Sequence, residues 1–226
     1  MHLLICCGTP WELKTVKTQI KNLKFKQKLS IHYLCTGIGN YETIFTLTKF
    51  LTEQEDSDFF LVNIGICGYW NRGEQPEKLI QIGRIKNRTT EKELLPPLPI
   101  RFAKIESIRS SEKPILEGKE EYGFGEMESR GIELVADKFR LPRLFLKVPF
   151  DRVGEETKAF DKEKACQMLA ENIDYKALLE QLLSLAKQIW NFWSDQNTHK
   201  QKFLCNKQQK SHKKRPVKDL NVAASS

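Results

Sequence analysis

Residues 126–151 read EMESRGIELVADKFRLPRLFLKVPFD, and the folding of this stretch decides the architecture. Ile132, Val135 and Phe139 fall four, seven and eleven positions after Glu128, the spacing of one helical stripe. The spacing predicts a helix over Glu126–Phe139, followed by a strand over PRLFLKVPFD. Glu128 then stands at the N-terminal end of the core-facing stripe. Both Glu126 and Glu128 complement a helix dipole there. Burying an unpaired charge costs roughly several kcal/mol, however, so a carboxylate on that stripe calls for a polar partner or a ligand.

Upstream of this helix–strand unit the pattern repeats. HLLICC is a short apolar run suited to a buried parallel strand, and GTPWELKTVKTQI opens a helix. KLSIHYLCTGIG is strand-like, and NYETIFTLTKFL is helical with Ile44, Leu47 and Leu51 on one face. DFFLVNIGICG is a further buried strand ending in glycines. Over residues 71–124, KLIQIGRI and IRFAKIESI read as strands, LLPPLP as a break and SSEKPILEGKEEYGFG as loop. DYKALLEQLLSLAKQIWNFW reads as a long C-terminal helix. Strands alternating with helices imply an α/β fold of three layers, a mainly parallel central sheet flanked by helices. Ligands of open α/β sheets collect at the carboxyl ends of strands. Glu12, two glycine-rich turns, Glu128 and Asp151 all fall at such ends.

With 226 residues and 40% hydrophobic content, the chain suits one core-forming domain, 1–194, and a basic tail, 195–226, expected to be poorly ordered. No apolar run is long enough to span a membrane. The opening MHLLICCGTPWEL has no basic leader region and ends in a helix-start signal, so it reads as a first strand and not a signal peptide. The formal net charge is +8, but the tail holds eight Lys/Arg against two Asp. The body is therefore nearly neutral, which argues against a nucleic-acid partner. Cys6, Cys7, Cys35, Cys67, Cys166 and Cys205 form no C-x-x-C, and the four histidines are scattered. Structural zinc is not expected, and reduced thiols in a cytoplasmic protein are.

The order of motifs resembles the purine nucleoside phosphorylase and uridine phosphorylase superfamily. Within it, the nearest matches are the methylthioadenosine/S-adenosylhomocysteine nucleosidases and futalosine hydrolases. LLICCGTPWEL is similar to the family's first strand and the acidic residue after it, and CTGIGNYET to its TGIGK turn. VNIGICG is similar to its NxGxAG loop, and the stretch quoted above to the segment that closes its active site. The likeness covers roughly residues 1–155. It implies a nucleosidase that hydrolyses the N-glycosidic bond of a purine-type nucleoside, without metal or cofactor, and a homodimer. It gives Asp151 the role of acid for the departing base and Glu12 that of base for the attacking water. Glu128 would bind the ribose 2′- and 3′-hydroxyls, beside Glu126 and with Met127 packed on the sugar. Asn63, Gly65, Ile66 and Gly68 would line the sugar side.

The chemistry asks for such residues. A glycosidic bond breaks through an oxocarbenium-like sugar, and the base leaves only when protonated. One acid, one base and groups holding the sugar hydroxyls are needed. Each residue has a plainer reading too. Thr9-Pro10-Trp11-Glu12 is a capping box with proline at the first helical position, and Asp151 a strand-end turn residue. The glycine pairs Gly37/Gly39 and Gly65/Gly68 permit tight turns. Three departures stand out: Phe150 where many relatives have Ser, Arg152 beside the acid, and Ile66 where many have Ser. GTPWELK has no arginine to hold phosphate, which favours water over phosphate as the nucleophile. A phosphorylase and a non-catalytic nucleoside-binding protein are the two alternatives.

Overall fold

A computed structural model of the chain describes residues 2–23, 29–54, 58–71, 76–116, 122–154, 157, 159–185 and 187–188. The expected tail, 195–226, lies outside them. The chain divides into two compact units, Met1–Leu182 and Leu183–Ser226. In the second, residues 183–185 and 187–188 are helical.

The first unit runs β1 (His2–Cys7), α1 (Pro10–Asn22), β2 (Ile31–Cys35), α2 (Asn40–Thr52), β3 (Phe59–Asn71) and β4 (Ile80–Asn87). It continues with β5 (Glu93–Leu94), β6 (Lys104–Ser110), β7 (Tyr122–Glu126), α3 (Ser129–Lys138), β8 (Arg143–Arg152) and α4 (Lys162–Glu171). Residues 175–182 are again helical, and the Tyr175 hydroxyl donates to the Leu169 carbonyl of α4 at 2.9 Å. The strands form one sheet in the order β2-β1-β3-β7-β6-β4-β5, and β8 pairs with both β3 and β4. β3, β7, β6, β4 and β8 therefore close on themselves as a barrel, with β1 and β2 extending from the first half of β3.

The fold is α/β, but the expected plainly parallel sheet is corrected: it is mixed and closed. β3 pairs antiparallel with β7, and β4 antiparallel with β5 and β8. The reason lies in the length of β3. Over Phe59–Asn63 it lies beside β1, and over Leu61–Tyr69 it also runs parallel to β8. Past the end of β1 its open side is taken by β7. A strand with three partners cannot stay in a flat open sheet. The segment from Asn63 to Gly68 is thus strand and not a loop. YGFG, read as the end of a loop, belongs to β7; its two glycines disfavour a strand and so masked it.

The helix after β7 begins at Ser129, not Glu126. Of its expected stripe, Ile132 and Val135 are buried in one cluster with Ala136 and with Leu47 and Leu51 of α2, and Phe139 packs partly buried against it. Arg143 opens β8 and is buried on Glu133 of α3, Nε donating to Oε2 at 2.8 Å. A paired guanidinium and carboxylate of this kind tolerates burial where either alone would not. α2 and α3 approach closely because α3 carries Gly131. A Cβ there would stand 2.5 Å from the Asn40 carbonyl oxygen. Gly131→Ala is expected to lower stability by about 2 kcal/mol, as overpacking does, read as a lower midpoint in urea denaturation with an unchanged m-value.

Candidate active site

The parallel strands β1, β2, β3 and β8 share one direction, so the segments after β1 and β2 and the last residues of β8 meet at one end. A cavity of about 410 Å³ opens there. Glu12, Ile66, Gly68, Glu126, Met127, Glu128 and Asp151 all line it. Asn63 and Gly65 do not. Asn63 is fully buried, its Nδ2 donating to the Cys6 carbonyl at 3.1 Å and its Oδ1 without a hydrogen-bond partner. Gly65 lies behind the wall: a Cβ there would come within 2.9 Å of Glu12 Oε1 and 3.5 Å of Lys147 Nζ. Its absent side chain is the space those two occupy.

Glu12 takes up both readings that its sequence allows. Oε2 accepts from the Thr9 N–H at 2.9 Å and the Thr9 hydroxyl at 2.7 Å, completing the capping box of α1. Oε1 accepts from the Ile66 N–H at 3.0 Å, across the cavity wall. Burial pushes its carboxyl above the usual range, against the pull of the Lys147 ammonium and these hydrogen bonds.

The two carboxylates around Met127 divide their work. Glu126 ends β7, and its Oε2 gathers the N–H groups of Glu128 (2.9 Å) and Ser129 (2.7 Å), the Ser129 hydroxyl (2.9 Å) and the Lys147 ammonium (3.2 Å). Glu126 is thus the residue that serves the N-terminus of α3. Its Oε1 is buried in the cavity wall with no partner. Burial opposes its ionisation, yet Lys147, the Ser110 side chain and the backbone donors hold it below the usual carboxylate range. Glu128 occupies the N-cap position of α3 but makes no capping bond. Its Oε1 instead accepts from the Gly39 N–H at 3.4 Å. Gly8 leaves it room, since a Cβ there would lie 3.1 Å from Glu128 Cδ. Burial, then the neighbouring Glu126 and Glu12, push the Glu128 carboxyl up to about 8, against Lys147 and the Gly39 N–H.

Lys147, in the middle of β8, is the residue that sequence reasoning missed. It is 1% exposed and pairs opposite Gly65 of β3. Burial works against its charge, but Glu126, Glu128 and Glu12 hold the ammonium above its usual range. The available signal was a lone lysine inside the apolar run LFLKVPF.

Asp151 is buried and lines the cavity. A register shift puts it there: Cys67 pairs with Pro149, and Gly68 with Asp151. Phe150 is the extra residue of the bulge, a device that re-aims the residue after it. The Phe150 ring meets Phe160 edge-on at 5.3 Å, and Phe160 packs with its ring tilted against Trp11 at 5.6 Å. Arg152, next in the strand, is exposed whereas Asp151 is buried. Ile66 contributes its backbone N–H to Glu12 and its side chain to the wall.

The arrangement can surround a small polar ligand with four carboxylates on an otherwise mostly apolar wall. Trp11, Ile38, Ile115 and Phe160 complete that wall.

No protein-family model matches the sequence, and no curated protein matches it either. Solved structures do. The MTAN of Chlamydia trachomatis, bound to MTA, superimposes with a TM-score of 0.60 at 22% identity, over 77% of this chain and 96% of that one. A futalosine hydrolase mutant of Helicobacter pylori gives 0.62 at 13% identity, over 83% and 99%. The MTA/SAH nucleosidase of Streptococcus pneumoniae, in complex with 8-aminoadenine, gives 0.59 at 15%, over 76% and 96%. The chain therefore has the fold of these nucleosidases.

Proposed function

We propose that this chain is a nucleosidase that hydrolyses the N-glycosidic bond of a purine-type nucleoside, of the methylthioadenosine, S-adenosylhomocysteine or futalosine kind. The observation that carries this reading is the meeting of Glu12, Glu128 and Asp151 on one cavity from three distant segments. Asp151 protonates the departing base, and Glu12 takes the proton of the attacking water. Glu128 receives the ribose 2′- and 3′-hydroxyls, whose O–H donors favour its ionised form. Its charge then offsets the positive charge developing on the ring. The orphaned Oε1 of Glu126 is a second acceptor beside it. No metal or cofactor enters the reaction.

Water fits better than phosphate as the nucleophile. The described residues lining the cavity include four carboxylates and no Arg, Lys or His. Backbone donors that a phosphate would use are already engaged: Ile66 by Glu12, Gly39 by Glu128, and Asn40 and Tyr41 by Glu112. A dianion entering here meets repulsion and no free N–H among these groups. The reading extends to a homodimer, for which Tyr41 and Phe45 offer an exposed apolar face on α2 beside Ile38 of the cavity wall. No helix among the described residues is long and apolar enough to cross a membrane, and a cytoplasmic nucleoside enzyme is in keeping with that. A non-catalytic nucleoside-binding protein is the second reading, favoured by Ile66 and Phe150 in place of serines.

Incubation with a panel of purine nucleosides, with and without phosphate, is expected to release free base equally in both. Strict phosphate dependence would make the chain a phosphorylase, and binding without base release the non-catalytic protein. Glu128→Gln is expected to lower kcat/KM by about 100-fold or more, as loss of a transition-state contact does, with circular dichroism unchanged. Asp151→Asn is expected to spare substrates whose leaving group needs no proton, such as a nitrophenyl riboside, and to slow nucleosides; equal loss on both would remove the acid role. Because the Glu128 carboxyl is raised to about 8 in the fold, the folded state holds a proton that the unfolded chain has already lost. That contribution is present at low pH and is lost as pH rises through this value. Thermal unfolding of the wild type should thus shift downward between about pH 4.5 and about pH 8 and level off above that, and Glu128→Gln should flatten the shift.

A further inference from the structure

The turn between β2 and α2 touches Glu128 through one backbone group, the Gly39 N–H at 3.4 Å. The direction of that N–H is set by the peptides around it. Gly39 has φ +94°, which glycine takes up freely but only as one of many open conformations, so its own backbone does not lock the turn. Something beyond it must fix its geometry.

Asn40 occupies that place. It is 3% exposed, and both ends of its amide are used. Oδ1 accepts from the Gly131 N–H of α3 at 2.8 Å and from the Ser110 hydroxyl at the end of β6 at 3.0 Å. Nδ2 donates to the Ser111 carbonyl at 3.0 Å. Its own backbone N–H is held from the other side by Glu112, Oε2 at 3.1 Å, while Glu112 Oε1 takes the Tyr41 N–H at 3.3 Å. Glu112 thereby caps α2 from 72 residues further along the chain, which the Gly39 N-cap cannot do for itself. Ser110 Oγ also accepts from the Arg130 N–H at 3.4 Å, in the first turn of α3, two residues after Glu128. One amide thus bolts together the turn that contacts Glu128 and the helix that Glu128 precedes.

We propose that Asn40 is a positioning residue for Glu128: it fixes the Gly39 N–H against the Glu128 carboxylate and so sets how that carboxylate meets a ribose diol. Glu112 is its auxiliary, acting on the same peptide from outside. This rests on the diol-binding role of Glu128 given above.

The test compares 5′-methylthioadenosine with its 2′,3′-dideoxy counterpart, by kcat/KM and by equilibrium binding. Referring each variant's ratio to that of the wild type cancels the intrinsic reactivity of the two probes. Asn40→Ala should reduce the preference for the diol by about tenfold or more, as small misplacements of a catalytic group do. Glu112→Ala, an exposed change that leaves the core intact, should reduce it in the same direction by about threefold. Leu51→Ala, in the core at the other end of α2, should lower Tm and leave the preference unchanged. Full diol preference in both Asn40→Ala and Glu112→Ala would overturn the proposal while leaving Glu128 in place. So would an equal loss in Leu51→Ala. A wild type that shows no diol preference, or binds neither probe, would remove the role of Glu128 and the inference together.

Discussion

The site depends on a buried ammonium. Lys147 stands beneath the cavity floor, and Glu12, Glu126 and Glu128 all act on its charge. Taking one such ion out of water costs roughly several kcal/mol, and so does each carboxylate. None of these burials is tolerable alone. Together, with one cation against three acids and backbone donors on the oxygens, they form a cluster that the fold can hold. Because there is one ammonium for three acids, the acids cannot be equivalent. Glu126 lies closest, at 3.2 Å, and stays ionised, whereas Glu128 retains its proton to a much higher pH. Division of neighbouring carboxyls into unlike protonation states is the usual preparation for acid–base work.

The backbone provides the space for this cluster. Gly65 clears the room beside Lys147 and Glu12, and Gly8 clears it for Glu128. The bulge at Phe150 brings Asp151 opposite Gly68 and onto the same cavity. The closure of the sheet into a barrel follows from the same long strand: β3 carries Gly65 and the Ile66 N–H, then bends on to pair with β7, which delivers Glu126. Fold and site thus share one cause, the length of β3 and the three partners it satisfies.

Much of this was legible in the order of residues. The strands β1, β2, β3, β4, β6 and β8 and the helices α1 and α2 follow from apolar periodicity and turn chemistry. α3 follows too, apart from its first turn. Seven of the nine site residues named from sequence line the cavity. β7 was not legible, because two glycines in five residues disfavour a strand. The start of α3 was misplaced because Glu128 continues the helical stripe and both glutamates suit a helix N-terminus, as well as they fit an N-cap and a strand end. α4 has a weak apolar stripe, with only Ala165 and Leu169 buried, and gave no signal strong enough to be read.

By itself the sequence determined the kinds of chemistry present: three acids, each beside a turn, and a glycine pattern that lets chain segments approach. It also determined the local capping of Glu12 by Thr9, which needs only three residues of separation. Tertiary structure alone decided which carboxylate keeps its proton. It decided too that Asn63 and Gly65 support the wall and do not line it, that Arg152 is exposed beside a buried Asp151, and that Asn40 joins two helices. The physical reason is range. Periodicity and capping act within a few residues, whereas burial and charge coupling depend on groups brought together from positions 12, 39, 126 and 147, whose spacing in the chain carries no record of their distance in space.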